Sequence, residues 1–216
     1  MTVTRTAKLK RGAAALLALL GWAALVLQFY LLVQTTSAMS LSLTEGTIRF
    51  FSFFTIQTNI LAALVLTAFA IKSSPDEWLV HPFVRSAVAV YIAMVGLVYI
   101  ALLRHVWAPQ GAQWIADAVL HYVMPVGNLL FWLSCVRKTG LRWYDPLLWL
   151  IYPLLYLGFI LVRGRMSGFY PYPFIDAKAL GYAGVAANTV GLLIVCAALG
   201  GLLVVIGWRL ARRQPV

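Results

Sequence analysis

Thr55 and His121 are the two side chains whose types and settings point most directly to chemistry. A threonine hydroxyl becomes a nucleophile when a neutral imidazole is placed to take its proton. Thr55 lies in FFSFFTIQTNIL, residues 50–61, where Ser52, Thr55, Gln57, Thr58 and Asn59 interrupt an apolar run. His121 lies in LHYVMP, residues 120–125, inside a second apolar run. An ionisable side chain is costly in such a segment, so a functional role is its default reading. On that segment Asp117, His121 and Asn128 follow i, i+4, i+11 spacing and share one helical stripe. Asp117 is thereby placed to accept from an imidazole nitrogen and orient the ring. Pro125, four residues on, leaves the His121 carbonyl without its helical donor.

Polar side chains in apolar helices also have ordinary uses. Ser and Thr bond back to their own helix, and Asn and Gln join neighbouring helices. Ser52, Thr55 and Asn59 follow i, i+3, i+7 spacing and are expected on one face of a continuous helix. Gln57 points about 200° away from Thr55 on that wheel, so interhelical bonding is its expected role. His81 and His105 fall in loops or at helix ends.

These residues sit in a chain of 216 residues, 62% hydrophobic and 11% charged. Soluble domains carry roughly 25% charged residues. The composition therefore predicts an all-α, polytopic membrane protein. Six segments are long and apolar enough to span, at about 12–34, 48–71, 83–103, 115–136, 145–162 and 185–208. They predict a bundle of six transmembrane helices forming one domain over 1–216. The first is read as a retained helix rather than a signal peptide. Pro153 is expected to kink the fifth. Cys135 and Cys196 both fall within apolar spans and are expected to pack there, with no disulfide framework. No metal cluster is apparent, and no cofactor is expected. A haem carrier needs paired axial ligands at depth, and only His121 lies firmly within a span.

The net charge of +11 excludes little by itself. No basic, aromatic-bearing folded module remains once the spans are set aside, so nucleic acid is not an expected partner. Membrane lipids are. Twelve Lys and Arg residues fall on one side of the six spans and five on the other, which predicts cytoplasmic termini. That orientation converts position into depth. Thr55 then lies about 10 Å below the outer interface and His121 about 9 Å below it, at 1.5 Å per residue. Gln28 on the first span reaches a similar level. Asn59, Asn128 and Gln28 are candidate oxyanion or positioning groups.

The stretch GRMSGFYPYPFID, residues 164–176, alternates aromatic residues with proline and cannot form a regular helix. Tyr170 and Tyr172 suit either an interfacial anchor or a lid over a cavity. Arg163 and Arg165 suit either recognition of a carboxylate or phosphate headgroup, or snorkelling to the interface.

Six helices, FFTIQTNIL early in the second, LHYVMP in the fourth and YPYPFID before the sixth together resemble a known family. It is the bacterial six-pass branch of the androgen-induced-gene-like membrane family, and the resemblance covers nearly the whole chain. The animal members are intramembrane threonine hydrolases that cleave fatty acid esters of hydroxy fatty acids, using a Thr on one helix and a His on another. The family His precedes a proline by a few residues, as His121 precedes Pro125. The family Thr follows a basic-aromatic run, to which Arg49 through Phe54 before Thr55 is similar with one extra residue. That offset keeps Thr58 as an alternative nucleophile. The resemblance implies a lipid ester substrate and a home in the bacterial cytoplasmic (inner) membrane, and the depths above place the expected site near the outer leaflet. The competing expectations are a small-molecule or proton transporter and a non-catalytic membrane scaffold.

Overall fold

The structure, a computed structural model, describes residues 2–71 and 78–212. Lys72 and Arg213, two of the basic residues behind the charge asymmetry, lie outside the described residues. Every regular element among the described residues is helical. Five helices are long and apolar enough to cross a membrane, or six if a bent pair counts as one span. The chain divides after Arg137 into two compact units.

The first unit opens with α1, Thr2–Ala38. A tight reversal with Ser40 at φ 58 leads into α2, Leu43–Ser52. Ser42 caps α2 by accepting from the Glu45 N–H at 3.1 Å, and Glu45 pairs with Arg49 at 2.8 Å one turn on. The α1–α2 turn is close because Gly46 has no side chain. A Cβ there would come within 2.6 Å of Thr36 Oγ1.

The expected second span over 48–71 is not one straight helix. Phe53 is extended, at φ −83 and ψ 126, and separates α2 from α3, Phe54–Ala70, with a 74° bend between them. No Gly or Pro marks the break. Its reasons lie in packing and in the carbonyls it frees. Phe50 turns inward and meets Phe29 of α1 edge-to-face at 5.1 Å. The Phe50 carbonyl accepts from Phe53 N–H, and the Phe51 carbonyl accepts from Gln57 Nε2 at 2.8 Å. Gln57 thus seals the end of α2 from the next helix in sequence. Ser52 bonds back to the Ile48 carbonyl at 2.6 Å, so it shares no helix face with Thr55 and Asn59.

The chain then forms α4, Pro82–Val98, which is capped by His81 and continues through a wide π turn, Tyr99–Leu103. It next forms α5, Gly111–Ala118, a second π turn, Val119–Val123, and α6, Met124–Cys135. Pro125 accounts for the second π turn. Its ring opposes the carbonyl four residues back, and the widened turn relieves that opposition. Met124 N–H reaches back to the Val119 carbonyl, five residues away. Gly96 of α4 lets this irregular segment approach, since a Cβ there would stand 3.0 Å from Pro125 Cβ and 3.4 Å from the His121 carbonyl. α1 packs chiefly along α3, and α4 packs on α3 and α6. Ala24, Leu25, Phe50, Ile56, Ala63 and Leu120 form the buried cluster that joins α1, the α2–α3 bend and the second π turn.

In the second unit α7, Asp145–Trp149, passes through Leu150 into α8, Ile151–Ser167. The interruption falls three residues before Pro153, which has no N–H to continue the ladder. Gly168, at φ 74, ends α8 in the left-handed conformation and returns its N–H to the Gly164 carbonyl at 2.8 Å. The aromatic-proline stretch is non-helical up to a short 3-10 turn, Pro173–Ile175. Asp176 then caps α9, Ala177–Ala211, by accepting from Lys178 and Ala179. Gly200 of α9 faces α7, where an added Cβ would stand 2.9 Å from Pro146 Cβ and 3.2 Å from the Trp149 ring. Neither the proline nor the fully buried indole can yield cheaply. Gly200→Ala is expected to destabilise the second unit by about 1–3 kcal/mol through overpacking. A thermal unfolding midpoint in detergent, equal to wild type, would refute this.

Candidate active site

The bend at Phe53 places Thr55 in the first turn of α3. There Thr55 Oγ1 lies 3.3 Å from His121 Nε2, which comes from the second π turn. Two positions 66 residues apart thus form a hydroxyl–imidazole pair. Thr55 is buried, and the His121 side chain keeps 14% of its surface.

The other ring nitrogen bears on the tautomer. His121 Nδ1 stands 3.1 Å from the Asp117 backbone carbonyl and 3.2 Å from Asp117 Oδ1. A carbonyl oxygen can only accept, so Nδ1 carries the hydrogen, and in the neutral ring Nε2 presents its lone pair. The Thr55 hydroxyl then donates to Nε2. Asp117 in turn accepts from the Tyr99 hydroxyl at Oδ2, 2.5 Å away. The Tyr99 ring stacks on the imidazole, with centroids 4.1 Å apart and planes 18° from parallel. Four side chains from three helical segments form one chain of contacts, with Thr55 at one end and Tyr99 at the other.

Asn59 holds the two halves together. Its Nδ2 donates to the Thr55 carbonyl at 2.8 Å and to the Leu120 carbonyl at 3.2 Å. The second acceptor exists because of the π turn. In a regular helix Met124 N–H would serve Leu120, but here it serves Val119. Both amide hydrogens of Asn59 are therefore used on backbone, which makes it a positioning group and removes it as an oxyanion donor. Its Oδ1 is buried with no hydrogen-bond partner among the described residues.

The remaining candidates separate from this pair. Thr58 is fully buried, and its Oγ1 has no hydrogen-bond partner among the described residues; Thr55 is the threonine that meets His121. Gln28 accepts from Gln113 Nε2 at 2.7 Å, joining α1 to α5, so its carbonyl is engaged there. Asn128 is buried on α6, two turns beyond His121, with Nδ2 lacking a partner among the described residues. Gln57 serves the Phe51 carbonyl, reaching from α3 to the end of α2.

Arg163, Arg165, Tyr170 and Tyr172 belong to the second unit. Arg163 lies over the Phe169 ring at 4.9 Å and donates to the Phe169 carbonyl at 3.5 Å. Arg165 is exposed. Tyr170 packs against Gly164, and Tyr172 is buried and stacked on Phe174 at 5.2 Å. Asn188 ties the stretch to α9 by donating to the Phe174 carbonyl at 2.9 Å. Among the described residues no group of three His, Cys, Asp or Glu side chains is arranged to hold a metal ion. Neither Cys135 nor Cys196 is in a disulfide.

Tyr99 was not among the sequence candidates. A usable signal existed, because it sits four residues before the end of the third span and about 6 Å in, close to the level of His121. No family model, curated protein or solved structure matches the chain.

Asn59→Leu is expected to preserve side-chain bulk while stripping the Leu120 carbonyl of its donor. The expected cost is about 1–3 kcal/mol, the penalty of a buried unsatisfied acceptor. Differential scanning of the purified variant tests this, and an unshifted transition would show that the clamp contributes nothing.

Proposed function

We propose that this protein is an intramembrane hydrolase of lipid esters, with Thr55 as nucleophile and His121 as general base. The observation that carries the reading is the 3.3 Å contact between Thr55 Oγ1 and an imidazole nitrogen whose partner nitrogen is held by Asp117. Nucleophile, base and orienting group in sequence define an activated hydroxyl. The resemblance to the androgen-induced-gene-like hydrolases supplies the substrate class, esters such as fatty acid esters of hydroxy fatty acids.

In this mechanism His121 Nε2 takes the hydroxyl proton as Thr55 Oγ1 attacks the ester carbonyl carbon. The tetrahedral intermediate collapses, the acyl–oxygen bond to the alcohol breaks, and Nε2 returns the proton to the departing alkoxide oxygen. The acyl group is left on Thr55. Water, deprotonated by His121, then releases the fatty acid and regenerates the hydroxyl. Negative charge develops in the first turn of α3, where the positive end of the helix dipole favours it. The bend at Phe53 creates that helix start. With the termini on the cytoplasmic side, as the basic residues favour, the site lies at outer-leaflet depth, and an ester reaches it from the bilayer. The aliphatic inner half would receive the acyl chain.

Polar groups on the inner side support this over a transport route. Thr67 Oγ1 accepts from the Trp22 indole at 3.2 Å and Ser86 Oγ from the Trp132 indole at 2.8 Å. These hydroxyls join helices.

A fluorophosphonate probe applied to the protein in nanodiscs is expected to label Thr55, as located by mass spectrometry. Thr55→Ala and His121→Ala are each expected to abolish hydrolysis of a long-chain fatty acid ester while leaving expression intact. Full activity in either variant, or labelling at Thr58, would overturn this assignment.

A further inference from the structure

Tyr99 touches two members of the proposed machinery through two different parts of its side chain. Its ring lies face-on against the imidazole, and its hydroxyl donates to Asp117 Oδ2. Both targets belong to the α5–π-turn segment, whereas Tyr99 comes from α4. The residue is itself buried at 5% exposure, so it has little freedom to leave this position.

Each contact restrains a torsion that helix geometry leaves open. The imidazole can turn about its outer side-chain bond, and a broad, two-fold torsion sets little barrier there. A stacked ring at 4.1 Å blocks that rotation. The carboxylate of Asp117 has a similar freedom. Its Oδ1 stands 3.2 Å from Nδ1, while its Oδ2 accepts from the Tyr99 phenol. The phenol anchors the carboxylate at Oδ2 and leaves Oδ1 facing the imidazole.

The location of Tyr99 reinforces the point. It opens a π turn, and π turns in otherwise regular helices are frequent at functional sites. His121 lies in the other π turn among the described residues. One turn before Tyr99, Gly96 brings α4 against Pro125 and the His121 carbonyl. The two widened turns therefore face each other across a contact that a glycine keeps close.

We propose that Tyr99 is a positioning residue for the Thr55–His121 pair, locking the imidazole plane with its ring and the Asp117 carboxylate with its hydroxyl. This rests on the hydrolase reading, and it adds a residue and a division of labour to that reading. Tyr99 does not touch the reacting atoms. It acts through His121 and Asp117, so its effect has a specific signature. Tyr99→Phe keeps the stack and removes the hydroxyl, with its bonds to Asp117 and Tyr122. Tyr99→Leu removes both.

The test is hydrolysis of a long-chain p-nitrophenyl ester by nanodisc-embedded wild type, Tyr99→Phe, Tyr99→Leu, Asp117→Ala and the Tyr99→Phe/Asp117→Ala double variant. Tyr99→Phe is expected to lower kcat about tenfold with KM unchanged, as a small misplacement of a base does. Tyr99→Leu is expected to lower it further. In the Asp117→Ala background Tyr99→Phe is expected to cost nothing more, because the group it anchors is gone. An equal loss in both backgrounds, a change confined to KM, or full activity in Tyr99→Phe would overturn the proposal. Nuclear magnetic resonance of 15N-labelled histidine gives a readout that needs no turnover. The His121 Nδ1–H signal, assigned by its loss in His121→Gln, is expected to be single in wild type and doubled or broadened in Tyr99→Phe. If wild type hydrolyses no ester, the hydrolase reading fails, and the spectrum still decides whether Tyr99 positions the carboxylate. An unaltered signal in Tyr99→Phe would reject that role.

Discussion

A carbonyl freed inside an apolar interior must find another donor, and the first unit is organised around that constraint. Water is scarce there and an unpaired backbone group costs several kcal/mol. Regular helices meet the requirement automatically. This chain departs from regularity at the Phe53 break and at the Val119–Val123 π turn, and in each case a side chain supplies the missing donor. Gln57 Nε2 serves the Phe51 carbonyl where α2 ends, and Asn59 Nδ2 serves the Leu120 carbonyl where the π turn diverts Met124. Gln57 and Asn59 of the 50–61 stretch are thus matched to the irregularities they make tolerable.

Those irregularities also build the candidate site. Without the break, Thr55 would lie inside a longer helix, away from any helix start. With it, Thr55 enters the first turn of α3, and Asn59 ties that turn to the segment carrying His121. Pro125 widens the turn around His121, and Gly96 allows α4 to bring Tyr99 over the imidazole. The buried cluster of Phe50, Ile56 and Leu120 against α1 sets the spacing between these pieces. Packing supplies the approach and hydrogen bonds supply the register. The Thr55–His121 contact is the result of both.

The second unit meets the same constraint with different means. Pro153 withdraws a donor, and the helix is interrupted at Leu150 in response. Gly168 closes α8 with a left-handed residue, and Asp176 opens α9 with a side-chain cap. Between them the aromatic-proline stretch is pinned by the stack of Tyr172 on Phe174 and by Asn188 on the Phe174 carbonyl. Proline rules out a helix there, and the aromatic rings provide the packing that a helix would otherwise have contributed.

Composition and apolar run length were sufficient to determine an all-helical chain with helices able to cross a membrane, because an apolar run about 20 residues long has few other stable forms. Helical periodicity placed Asp117 and His121 on one stripe, since i, i+4 neighbours meet on any α-helix. Pro125 announced an irregular turn through its missing N–H. The break at Phe53 was not legible, because RFFSFF contains no helix breaker and the bend arises from Phe50 packing on α1. The duties of Asn59 and Gln57 followed from carbonyls that only those irregularities expose. Tyr99 carried only its depth as a signal, for a related reason. An aromatic residue in an apolar helix reads as core or lipid contact until the neighbouring helix is known, and its meeting with Asp117 and His121 depends on how α4 packs. Local chemistry can be read from residue type and spacing, whereas the partner of each polar group is decided by which helices the tertiary structure brings together.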